Sequence, residues 1–162
     1  MDNFFNKALQ IAIDAHKGQK DKCGADYVLH PKTVSSFCKT EKGKVAALLH
    51  DVVEDSDYTL LDLQNAGFDN DILKAVDCLT QRENEDYESN FKRIIKNDLA
   101  IEVKLCDLRH NSDVSRWPKD KYDIAIKNSK KYCERAKTLI KMIGEDKARE
   151  LMTVETQDYF KF

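Results

Sequence analysis

His50 and Asp51 close the apolar run Val45–Leu49, and two further carboxylates follow at Glu54 and Asp55. A run of this kind belongs on a helix facing a core, where an unpaired imidazole or carboxylate costs several kcal/mol unless a metal or counter-charge compensates it. His50 and Glu54 are four residues apart, as are Asp51 and Asp55. A continuing helix stacks each pair along one face. That arrangement suits a divalent cation with a carboxylate held beside it; a buried structural His–Asp pair is the competing explanation.

Two other places offer comparable donors. His30 lies in Tyr27-Val28-Leu29-His30-Pro31 and is either a ligand or an ordinary loop histidine. Asp107 has apolar neighbours at Val103, Leu105 and Cys106, which set an acid beside buried surface, although an ion pair with Lys104 or Arg109 would equally explain it. Two His and two Asp from three separate elements make a donor set for Mn²⁺, Fe²⁺ or Zn²⁺. Spacing alone does not bring them together. Of the remaining histidines, His16 ends an amphipathic helix and reads as a packing or supporting residue. His110 either orients a neighbour or faces solvent. Cys106 reads as core filling.

The elements that must position these groups are all helical. Only five glycines and two prolines interrupt the chain, and apolar residues recur at three- and four-residue spacing. A first helix spans about 3–17 with Phe5, Ala8, Leu9, Ala12 and Ile13 inward, followed by a polar loop over 18–29. Pro31 suits the first turn of the next helix, placing His30 where loop meets helix. A helix over 42–53 carries the His50-Asp51 pair. Thr59 caps a short helix closed by Gly67, and 71–79 continues with Ile72, Leu73 and Val76 inward. After a loop over 81–86, helices follow at 87–96 and, capped by Asp98, at 99–111. Trp117-Pro118 breaks the pattern before the longest helix, 121–143. A short helix over 146–154 precedes a poorly ordered tail. The expectation is one all-α compact domain over 1–162, with its core at about 3–154.

At 41% apolar and 35% charged residues the chain reads as a soluble globular protein, and a net charge of −2 gives no footprint for nucleic acid or a membrane surface. No apolar stretch approaches the ~20 residues a bilayer crossing needs. The start, Met1-Asp2-Asn3-Phe4-Phe5-Asn6-Lys7, lacks the layout of a secretion signal. Five scattered cysteines without a CxxC pair fit reduced thiols. The expected location is therefore cytoplasmic; oligomeric state is not legible.

The order His30 … His50-Asp51 … Asp107 matches the pattern of the HD phosphohydrolase superfamily. The flanking blocks Ala15-His16-Lys17-Gly18-Gln19, Tyr27–Pro31, Ala46–Asp55 and Val103–Asp107 with Asn111 resemble the hydrolase domain of RelA/SpoT proteins, including the stand-alone small alarmone hydrolases. The resemblance implies a helical HD fold with His30, His50, Asp51 and Asp107 on one metal, usually Mn²⁺, with Fe²⁺ or Zn²⁺ as alternatives. It also implies that Glu54 and Asp55 position or deprotonate the attacking water; the competing reading is a solvated acidic helix end. Only His16 and His110 remain, so a second metal is not expected. Lys20, Lys22, Lys104, Asn111 and Arg116 are the candidate substrate-binding residues, with Lys104 and Asn111 at matching family positions.

The match frays toward the substrate. Where the family usually has an arginine that packs on guanine, this chain has Asp21, an acid that cannot make the cation–π contact and would repel phosphate. Ser112-Asp113 replaces an apolar residue and an arginine. The implied activity is metal-dependent removal of the 3′-pyrophosphate of guanosine 3′,5′-bis(diphosphate) by an activated water. Hydrolysis of another nucleotide or phosphorylated metabolite is the alternative, followed by a non-catalytic nucleotide- or metal-binding module. The expected partner is a small phosphorylated molecule, with neither nucleic acid nor membrane.

Overall fold

The computed structural model describes residues 2–161, so Met1 and Phe162, the ends of the expected domain, lie outside it. Eleven α-helices and two short 3₁₀ turns make up the described chain, with no named strand among the described residues and a single isolated bridge between Lys20 and Asp26. Helix α1 (Asp2–Ala15) leads through a loop into α2 (Leu29–Phe37). After them come α3 (Glu41–Leu49), α4 (Val52–Asp55), α5 (Leu60–Asn65) and α6 (Asn70–Leu79). Then follow α7 (Tyr87–Ile94) and α8 (Asp98–Ser112), the 3₁₀ turns Val114–Arg116 and Lys119–Lys121, α9 (Tyr122–Ile143), α10 (Glu145–Leu151) and α11 (Val154–Phe160). None is long and apolar enough to cross a membrane.

The middle of the fold is α3 and α8. Val45–Leu49 are all buried because α1, α2, α6 and α8 surround α3. Helix α8 is buried on nearly every side, packed by α2, α3, α6 and α9, although polar and charged residues are interspersed along it. Charge at its centre is conspicuous: Glu102 and Asp107 are 1% and 5% exposed.

Glu102 has a structural partner. Its carboxylate accepts the Thr40 amide and the Thr40 hydroxyl, each at 2.7 Å, while Thr40 Oγ1 accepts the Gly43 amide and caps α3. One buried acid thus ties α8 to the start of α3. Asp107, five residues and about 7.5 Å further along α8, is placed by the same tie.

Several expected details differ. Ile13 is 41% exposed, whereas Ile11 packs against the core, since Ile13 lies beyond the edge of the stripe set by Phe5, Ala8 and Ala12. The helix through His50 is interrupted: α3 stops at Leu49 and α4 begins at Val52. The His50 ring takes the Ala47 carbonyl at 2.6 Å, the acceptor that the Asp51 amide would use in an unbroken helix. Asn97, not Asp98, caps α8 by accepting the Ala100 amide. The expected single helix over 146–154 is two, broken at Met152-Thr153, and α11 occupies part of the supposed tail.

Gly43 lies against Glu102 so closely that a Cβ there would stand 2.5 Å from Oε1 and 2.6 Å from the carboxyl carbon. Gly43→Ala should therefore displace the buried carboxylate from Thr40 and destabilise the fold by about 1–3 kcal/mol. Thermal denaturation monitored by circular dichroism checks this; an unchanged midpoint would mean that the Glu102–Thr40 tie does not hold α3 to α8.

Candidate metal centre and substrate cavity

Three helices deliver the donors. His30 comes from the first turn of α2, where Pro31 is tolerated because the amide it lacks has no helical partner there. His50 comes from the α3 end and Asp107 from the buried middle of α8. One ligand atom from each of His30, His50 and Asp107 lies within 4.8 Å of the others, and all three residues are buried. His30 Nε2 is 3.2 Å from Asp107 Oδ1. Asp51 Oδ2 lies 3.5 Å from His30 Nε2 and 3.1 Å from His50 Nε2, at the edge of the same group.

The ring nitrogens are disposed as metal binding requires. His50 Nδ1 donates to the Ala47 carbonyl, which turns Nε2 toward the acids, where a cation would take the place of its proton. That Nε2 is buried and makes no hydrogen bond, one of two such side-chain atoms among the described residues, the other being His16 Nε2. His30 Nδ1 meets His110 Nδ1 at 2.6 Å, with the rings stacked at 4.9 Å, and its Nε2 faces inward. His110 therefore orients His30. Buried imidazole nitrogens and carboxylates converging from three elements suit a divalent cation.

Electrostatics bind the group together. Burial opposes charge on His50, but the carboxylates of Asp51 and Asp107 outweigh it and hold the imidazole up at about 9. Burial likewise opposes ionisation of Asp51, yet His50 and His30 pull it below the carboxylate range. Asp107 is held well below that range, against its burial, by Lys104 and His30. Burial, reinforced by His30 and Arg116, pushes His110 down to about 3, so it stays a neutral acceptor. Tyr27, raised by burial and by Asp51, keeps its proton and donates to Asp51 Oδ2 at 2.8 Å.

A cavity of about 230 Å³ opens onto this group. Lys22, Lys104, Asn111 and Arg116 line it, alongside His30, Asp51 and Asp107. Lys104 Nζ donates to Asp107 Oδ2 at 2.9 Å, and Asn111 Nδ2 donates to Asp107 Oδ1. Lys20 is not part of the lining; it is exposed and paired with Asp26 at 2.6 Å. Glu54 and Asp55 are exposed on α4 and stand outside the lining, with Glu54 Oε2 accepting the Gln81 amide at 2.8 Å.

Asp21 is not the free acid that its position in the sequence implies. Its Oδ1 accepts the Cys23 and Ala25 amides, and Oδ2 accepts Arg116 Nη2 at 2.7 Å. Although burial would raise it, those partners hold its carboxyl below the ordinary value. The cavity meets a neutralised pair rather than an isolated negative charge. Arg116 Nη1 also donates to the His110 carbonyl at 2.9 Å.

Residue-type reasoning missed Tyr27, Trp117, Asn128, Tyr132 and Arg135, all in the lining. The last three follow one another at four- and three-residue steps along α9, and that polar and aromatic stripe was the available signal.

No family model matches the chain. It is 32% identical over 138 residues, 75% of its length, to a guanosine-3′,5′-bis(diphosphate) 3′-pyrophosphohydrolase of Borreliella burgdorferi, covering 20% of that protein. It is 32% identical over 120 residues, 65% of its length, to the bifunctional (p)ppGpp synthase/hydrolase SpoT of Escherichia coli, covering 17% of it. The chain thus spans about a fifth of the length of these curated relatives. Among solved structures, that of a metazoan ortholog of SpoT that hydrolyses ppGpp and plays a role in starvation responses superposes with a TM-score of 0.68 at 26% identity. The superposition covers 98% of this chain and 94% of that one.

Two expected outcomes test the centre, with Mn²⁺ as the probe. Removing the His110 acceptor by His110→Phe should weaken Mn²⁺ binding about 10–100-fold; equal affinity in a metal titration would deny it the orienting role. With no cation present His50 holds a proton up to about 9, and a cation must displace it. The affinity should therefore rise about tenfold per pH unit between roughly pH 6 and 8 for one displaced proton, and a flat profile would exclude that exchange.

Proposed function

The chain is homologous to the hydrolase domains of SpoT and RelA proteins, and we propose that it removes the 3′-pyrophosphate of guanosine 3′,5′-bis(diphosphate). The observation that carries this reading is the buried His30–His50–Asp107 group, with His50 Nε2 turned toward the acids, opening onto a cavity lined by cations. His30, His50, Asp51 and Asp107 would hold one divalent ion, for which Mn²⁺ is our choice. Bound there, the ion supplies a Lewis acid for a phosphoryl oxygen and makes water acidic enough to attack near neutral pH.

The other roles fall to the chain's own side chains. His110 and Ala47 keep both imidazoles turned inward. Tyr27 steadies Asp51. Although both residues reach solvent, partial desolvation by their surroundings, with Asp51 and Asp55 nearby, raises the Glu54 carboxyl, and partial desolvation followed by Asp51 raises Asp55. A raised carboxylate is a better base, so Glu54, with Asp55 beside it, takes the proton of the attacking water. Lys22, Lys104, Asn111 and Arg116 face the phosphate-bearing part of the substrate. Five free cysteines support a reducing, cytoplasmic location.

A second reading keeps the chemistry and changes the substrate to another nucleotide or phosphorylated metabolite. It is favoured by the Asp21–Arg116 pair, which leaves residue 21 without a cation for a guanine base.

The deciding assay is incubation of purified protein with guanosine 3′,5′-bis(diphosphate) and Mn²⁺, with Asp51→Ala as control. Pyrophosphate and guanosine 5′-diphosphate should appear only with the unmodified chain; turnover of other nucleotides alone would select the second reading. Glu54→Gln should retain bound Mn²⁺ and lose about 10²–10⁴-fold in kcat, and undiminished kcat would remove Glu54 from proton transfer.

A further inference from the structure

Arg135 stands where two cavities meet. One is the cavity over the His30–His50–Asp107 group. The second, about 330 Å³, is lined by residues of α7 and the loop before it, among them Gln81, Tyr87 and Asn90. Lys104 and Arg135 line both. Lys104 is already engaged by Asp107.

The guanidinium of Arg135 is differently placed from every other arginine among the described residues. Arg82, Arg93, Arg109, Arg116 and Arg149 each donate to an oxygen of the protein. Arg135 makes no such bond. It is half-buried, with its guanidinium carbon 4.7 Å from the Tyr87 ring centre and 5.7 Å from that of Tyr132. The acid in the lining of this second cavity, Asp86, is occupied in capping α7 through the Ser89 amide at 2.7 Å. Aromatic faces hold the plane of a guanidinium and leave its N–H edge free. Half-burying a cation without an acid is costly unless an anion arrives, and five N–H donors in a fork match phosphate oxygens.

We infer that Arg135, clamped by Tyr87 and Tyr132, is the anchor for the second anionic group of the substrate, the diphosphate that is not cleaved. This rests on the proposed activity, in which one substrate carries two diphosphates. With the scissile group at the buried donors, the other needs a cation within the same connected space, and Arg135 is free at the junction. It acts as a binding and specificity residue rather than in bond breaking.

The test compares guanosine 3′,5′-bis(diphosphate) with guanosine 3′-diphosphate, which lacks the second group, in the Mn²⁺-loaded protein. Arg135→Gln should raise KM for the bis(diphosphate) at least about tenfold, and by several-fold more than for the truncated substrate, with Arg135→Lys between the two. Equal losses on both substrates, or none, would overturn the anchor. If the unmodified chain turns over neither nucleotide, the proposed activity itself fails, and calorimetric titration with guanosine 5′-diphosphate then decides the anchor separately. Binding weakened about tenfold or more by Arg135→Gln supports it; unchanged or absent binding overturns it.

Discussion

The burial of two imidazoles against two carboxylates at the crossing of α2, α8 and the α3–α4 break is the constraint on which this structure turns. None of the four groups is tolerable alone in such a place. Together they stabilise one another's charged forms: the acids raise His50, and the histidines lower Asp51. A neighbouring layer completes the balance. Lys104 and Asn111 secure both oxygens of Asp107, Tyr27 secures Asp51, and a neutral His110 secures His30. A divalent cation would replace the proton that the group otherwise keeps.

Much of the surrounding architecture reads as support for that crossing. Helices α3 and α8 are packed by neighbouring helices on several sides, so close packing sets their positions. Glu102 adds a directional tie where packing alone would allow sliding, and Gly43 leaves the space for it. The interruption at His50 is equally purposeful. By taking the Ala47 carbonyl, the ring exchanges one helical acceptor for a fixed orientation, with Nε2 toward the acids.

The cations divide into those already spent and those still free. Lys20 is paired with Asp26, Lys104 with Asp107, and Arg116 with Asp21 and the His110 carbonyl. Lys104 and Arg116 thus shape the cavity as much as they charge it. Lys22 and Arg135 keep their donors available to an incoming anion. Asp21 therefore does not leave the cavity acidic at that point, because Arg116 pairs with it.

The sequence by itself determined the all-helical class and the ends of most helices, and it offered the residue types of the candidate metal centre. Apolar periodicity, caps such as Thr59 and breakers such as Gly67 and Pro118 are local signals that survive without knowledge of the fold. His50, Asp51 and Asp107 stood out because polar groups beside apolar runs demand compensation, whereas His30 joined them only through the family resemblance. The break at His50 was hidden, since a side chain competing for one carbonyl leaves the periodicity unchanged. Only tertiary structure decided that His110 faces His30 across 80 residues, that Arg116 neutralises Asp21, and that Asn128, Tyr132 and Arg135 border the cavity. The reason is physical: a helix's spacing says which residues share a face, but which face meets which neighbour is settled by how all the helices pack at once.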